Sequence, residues 1–175
     1  METDLAQLVL AAIISGGVAS VLLTLSFRYF FEPRLVRVAE TQRSVRERKE
    51  QSLKEVLGPI TMQLERSGRA FSRWETRNDF LEGKVVKEAN TQIRDLLLAK
   101  GHLLPADLFG HAGDLIEHYD RWLEEYADKR EGPNAAEHEG PVYVGPLGYP
   151  FPDDAEQAFR ATFERLRAEL FDIAS

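Results

Sequence analysis

Hydrophobic positions along this chain fall into one unbroken block followed by a series of periodic stripes. Residues 5–27 carry no Asp, Glu, Lys or Arg and are closed by Asp4 on one side and Arg28 on the other. At about 1.5 Å rise per residue such a helix is roughly 34 Å long, enough to cross a hydrocarbon core of about 30 Å with a modest tilt. Beyond it, Pro33 is placed as the first residue of a second helix reaching Leu57 through the charge-rich stretch 43–50, where Val45 is the one large apolar residue. Gly58 and Pro59 predict a break, after which Ile60, Leu64, Phe71 and Trp74 mark a third helix. Asp79 and Glu82 have the spacing of a capping box opening a fourth, with Leu81, Val85, Ala89, Ile93, Leu96 and Leu97 on its apolar face and Gly101 as its stop. Ala112, Leu115, Ile116, Tyr119, Trp122, Leu123 and Tyr126 form the most regular amphipathic stripe. Residues 131–152 hold Pro133, Pro141, Pro146 and Pro150 and predict an irregular loop; Asp153 and Glu156 then cap a last helix faced by Phe159, Phe163, Leu166 and Leu170.

The pattern therefore predicts an all-α protein: one N-terminal transmembrane helix followed by a cytosolic helical bundle, with a Pro/Gly-rich loop before the last helix. The expected divisions are a transmembrane anchor over 1–31, a basic juxtamembrane helix over 32–58 and a bundle over 59–175. The acidic start Met1-Glu2-Thr3-Asp4 and the aromatic exit Phe27-Arg28-Tyr29-Phe30-Phe31 lack the basic start and small-residue cleavage site of a signal peptide, so the segment reads as a retained anchor.

Charge sets the orientation. No Lys or Arg precedes the apolar block, whereas Arg28, Arg34 and Arg37 follow it closely. The positive-inside rule puts the N-terminus outside and the remainder in the cytoplasm, as a single-pass protein of the inner (cytoplasmic) membrane. The net charge of −7 divides unevenly: residues 28–100 hold 16 Lys and Arg against 11 Asp and Glu, and residues 101–175 hold 6 against 16. The basic part suits an anionic leaflet of the lipid bilayer. The acidic part argues against nucleic acid on residues 101–175.

Within the anchor, Ala12, Gly16 and Ser20 step by four, as do Ala11, Ser15 and Ala19, and Gly16-Gly17 stands at the centre. Stripes of small residues let helices approach closely in lipid and predict a homo-oligomer packed through Ala12, Gly16, Gly17 and Ser20. Ser15, Ala19, Leu22 and Ser26 line another flank, which faces either a pore or its own helix's carbonyls.

Catalytic equipment is sparse. The chain has no Cys, no phosphate-binding glycine loop and no serine elbow, and no motif implies a cofactor. His111, Asp114 and His118 fall on one helix flank, and Asp114 with His118 is the one pair spaced to share a metal. Arg94 and His102, an Arg near a helix end followed closely by His, are the remaining catalytic candidates. With the surrounding helical pattern they resemble the HEPN class of helical ribonucleases and their inactive relatives, although seven residues intervene where that class has four to six.

The whole layout, with the 5–27 span, its small-residue stripes and the helical 60–172 region, is similar to the single-span membrane accessory proteins of type VI-B CRISPR systems. That resemblance implies a HEPN-like body and a membrane pore that strengthens antiphage defence. Trp122, Tyr126, Tyr143 and Tyr149 are the residue types favoured at interface centres and form a candidate docking surface for a cytosolic protein partner. The expectation is a membrane-anchored, self-associating helical effector or accessory protein. The alternatives are a scaffold that recruits a cytosolic partner without forming a pore, and a tethered HEPN-like ribonuclease.

Overall fold

The computed structural model describes residues 32–73, 77–133, 135 and 140–171. The expected anchor over 1–31, with Ala12, Gly16, Gly17 and Ser20 and the pore-facing candidates Ser15, Ala19, Leu22 and Ser26, lies outside the described residues. Among those described, no strand occurs and no helix is long and apolar enough to cross a membrane. The chain is all-α, as its periodicity predicts.

Helix α1 spans Glu32–Ser52, α2 Gly58–Phe71, α3 Lys87–Lys100, α4 Phe109–Tyr126 and α5 Asp153–Phe171. Contacts divide the chain into two units at Arg46 and Glu47. In the first, the described side chains of residues 37–46 are exposed, Val38 and Val45 among them. In the second, α3 packs on both α2 and α4, α4 packs on α5, and α5 returns against α2, which closes a four-helix bundle.

The predicted break at Gly58-Pro59 does not occur. A π-helical turn over Leu53–Leu57 carries the chain straight into α2, with Gly58 at φ −61° and its N–H bonded to the carbonyl of Leu53. The wider i→i−5 turn makes room for the pyrrolidine ring of Pro59, which would clash with the preceding turn of a regular helix. Gly58 is needed for closeness: a Cβ there would stand 2.9 Å from the Leu53 carbonyl oxygen. Ser52, Leu53, Val56 and Leu57 are buried, so the helical body takes in the end of the stretch expected to be a basic juxtamembrane helix.

The expected capping box at Asp79 and Glu82 is also revised. Asn78 is the cap, its Oδ1 accepting the N–H of Leu81 at 3.0 Å, and the Glu82 carboxylate is used elsewhere. A second π turn, Leu81–Val86, precedes α3. It shifts the buried stripe to Glu82, Val86, Ala89, Asn90, Ile93 and Leu97, because an extra residue in a turn rotates everything before it around the helix axis.

Among the described residues two apolar clusters make up the core. One joins Leu57, Ile60, Leu64, Ile93, Leu115, Phe159 and Leu166; the other joins Ala70, Val86, Trp122, Tyr126, Val142 and Val144. The second contains residues of the predicted irregular loop, which packs down on α4 instead of projecting from it.

Candidate functional site

The Pro-rich segment is drawn onto the bundle by specific partners. The Trp122 indole Nε1–H donates to the Val142 carbonyl at 3.1 Å in the interior. His118 Nδ1 bonds the Tyr149 carbonyl at 3.1 Å, and the His118 ring meets Phe151 edge-on at 5.3 Å. Arg121 lies over the Tyr149 ring, 4.8 Å from its centroid. The turn between Val142 and Phe151 closes through a short 3-10 helix, Gly145–Leu147. Gly148 then adopts φ +92°, the left-handed region that a Cβ disfavours.

Between α2, α3, α4, α5 and this loop lies a pocket of about 420 Å³. Leu64, Tyr119, Trp122 and Val144 seal its floor, each nearly inaccessible, while Gly68, Tyr143 and Pro150 stand exposed at its mouth. Ser67, Asn90, His118, Tyr119 and Glu156 give it polar character. The Ser67 hydroxyl is already used, donating to the Leu64 carbonyl, and Glu156 pairs with Arg160 at 2.7 Å. The Tyr119 hydroxyl is buried with no protein partner, and burial together with the Glu156 charge pushes its ionisation well above the usual range. Burial lowers the His118 pKa, opposed in part by the carbonyls of Tyr149 and Pro150. A neutral ring that donates from Nδ1 keeps Nε2 as an acceptor.

The expected site residues meet different fates. Trp122 and Tyr126, expected as docking residues, are interior: Trp122 is 1% exposed, and Tyr126 stacks on it at 5.3 Å with the Lys87 ammonium 4.7 Å from the Tyr126 ring centroid. Aromatics that hold a loop to a core cannot also face a partner; of the four expected docking residues, Tyr143 is exposed and Tyr149 half-buried. Arg94 and His102 are not brought together. Arg94 is clamped by Asp95 at 2.7 Å and Asp120 at 3.3 Å, which hold its guanidinium firmly charged, the Asp95 hydrogen bond contributing most. His102 follows the end of α3 in the 3-10 turn Gly101–Leu103, exposed and near the Glu55–Lys100 ion pair. Asp114 is exposed while the ring of His118 turns to Tyr149, and no three metal-ligating side chains converge among the described residues.

Comparison of the chain with family models, with characterised proteins and with solved structures gives no match.

Two features escaped the sequence pattern. One is the pocket, whose Asn90 is a polar residue inside the α3 core stripe and 2% exposed; a polar residue at an otherwise apolar helical register is the signal that could have marked it. The other is a buried ion pair. Arg130 donates from Nη2 to Glu82 Oε1 at 2.9 Å and from Nε to Oε2, with the Glu82 side chain fully buried and that of Arg130 4% exposed. It joins the second π turn to a third, Ala127–Glu131, at the end of α4. The same guanidinium donates to the Gly140 carbonyl at 2.6 Å, fixing the start of the loop.

Proposed function

We propose that this protein is a membrane-anchored, self-associating helical effector or accessory protein, held by one span with its helical body in the cytoplasm. The observation that carries this reading is the uncharged run over 5–27 with small residues at Ala12, Gly16 and Ser20 on one stripe, followed directly by basic residues. In lipid, apolar surface gives no drive for helices to associate; close backbone packing at small residues supplies it. In the helical body Arg94 is paired with Asp95 and Asp120, and His102 lies near the Glu55–Lys100 ion pair. The layout's similarity to the type VI-B accessory proteins extends the proposal to a pore acting in antiphage defence.

The test is Gly16→Leu in the full chain, with Gly17→Leu for comparison. Leu is well solvated by lipid tails, so insertion survives while the close approach is lost. Wild type should cross-link in membranes as a discrete oligomer and Gly16→Leu as smaller species, with dye entry into cells falling in parallel. An oligomer that disperses while phage protection stays whole would sink the pore and leave the scaffold. An unchanged oligomer would place assembly in the helical body.

A further inference from the structure

We propose that the pocket under the Pro-rich loop binds a small uncharged molecule, mostly apolar and one or two rings in size, that carries one hydrogen-bonding group. This inference rests on the helical body alone and is independent of how the anchor assembles.

Three observations converge on that chemistry. The first is shape. The pocket of about 420 Å³ is closed below and open above, within the span of roughly 300–1,000 Å³ usual for small-molecule sites. A benzene ring needs a cavity of only about 150 Å³, so a ring with a substituent fits without moving the helices. Aromatic rings flank it: Phe71 lies 6.2 Å from Tyr143 at a 38° tilt and Phe151 meets His118 edge-on.

The second is the unpaired hydroxyl. Tyr119 is 2% exposed, lines the pocket and has no protein partner for its oxygen. Buried hydroxyls without a partner are uncommon because desolvation is then uncompensated. A ligand atom that donates to or accepts from this group supplies what the fold leaves out, and the amide of Asn90 lines the same pocket as a further donor and acceptor.

The third is charge. Among the described residues no Lys or Arg lines the pocket, and the carboxylate that does, Glu156, is already balanced by Arg160. The remaining titratable ring, His118, is favoured neutral by its burial. A phosphate or carboxylate entering this space would lose its hydration with no counter-charge to replace it, and a cation would have to compete with Arg160.

The test uses the full chain in lipid nanodiscs, with empty nanodiscs as the control for partitioning. The probe is benzamide, a neutral ring with one amide, and benzoate and benzylamine serve as charged counterparts of the same size. Ligand-observed NMR should show saturable millimolar binding of benzamide, with both charged counterparts at least about tenfold weaker. Gly68→Leu should abolish binding by filling the mouth; a Cβ at Gly68 meets no atom within 4 Å, so the fold tolerates it. Tyr119→Phe should weaken benzamide about three- to tenfold without lowering the melting temperature of the unliganded protein, since the group removed has no partner to lose. Absence of saturable benzamide binding, equal or tighter binding of either charged counterpart, or benzamide binding unchanged in both variants would each overturn the proposal.

Discussion

The Glu82–Arg130 pair offers the sharpest energetic test of this fold. The Glu82 side chain is wholly inaccessible and that of Arg130 is 4% exposed, so neither charge is solvated once the partner is gone. In Glu82→Ala the guanidinium keeps two backbone acceptors, the Gly140 carbonyl at 2.6 Å and the Lys129 carbonyl at 3.2 Å, but no countercharge from Glu82. Breaking a buried pair from one side costs about 3–5 kcal/mol; the surviving carbonyl bonds place this case near 3. With a urea slope of about 1–3 kcal/mol per molar, the midpoint should fall by roughly 1–3 M.

Replacing both partners, as Glu82→Leu with Arg130→Met, removes the charges together. It leaves the Gly140 and Lys129 carbonyls short of a donor, at about 1 kcal/mol each. The double variant should therefore be more stable than Glu82→Ala, and a cycle over the pair should show a coupling of more than about 1 kcal/mol. The assay is urea unfolding of the full chain in mild detergent, followed by tryptophan fluorescence, at low salt and again at high salt. Salt should change the result little, because a desolvated pair is poorly screened. A loss below about 1 kcal/mol in Glu82→Ala, or a double variant equal to the sum of its singles, would refute the claim that this pair is desolvated and coupled.

Two further outcomes follow from the way the loop is held. Trp122→Phe removes the indole donor to the buried Val142 carbonyl and should cost about 1–3 kcal/mol, with faster limited proteolysis within residues 131–152; a cleavage rate equal to wild type would mean the loop is secured elsewhere. His118 has a pKa depressed by burial, with no charged side chain contributing to the shift. The folded state therefore binds fewer protons than the unfolded one below about pH 6.5, and stability is complete above that value and falls as pH drops beneath it. The urea midpoint should decline on acidification to about pH 5.5 and decline less in His118→Gln, in a window above the one where Glu55, Glu65, Asp79 and Glu169, all with lowered pKa values, begin to protonate. A flat wild-type profile would contradict the burial of the ring.

Helical class, the four-helix body and the stripes of α2, α4 and α5 were legible in the sequence because they depend on local periodicity. Ile60 and Leu64 in α2, Leu115, Tyr119 and Trp122 in α4, and Phe159, Leu166 and Leu170 in α5 are buried as their spacing requires. The charge-free run over 5–27 is likewise a property of composition, and it alone carries the membrane expectation. Tertiary structure decided what periodicity cannot encode. Gly58-Pro59 reads as a break on any local scale, yet packing of Leu53, Val56 and Leu57 into the core holds the helix continuous through a π turn. Glu82 looks like a capping residue until Arg130, 48 positions later, reaches it in the interior. The aromatics at 122 and 126 have the composition of an interface, and only the loop folding back over them, through Val142 and Val144, makes them core. The pocket belongs to the same class of fact: its walls come from α2, α3, α4, α5 and a loop, and their convergence around an unpaired Tyr119 hydroxyl is set by how the helices pack, which no single segment specifies.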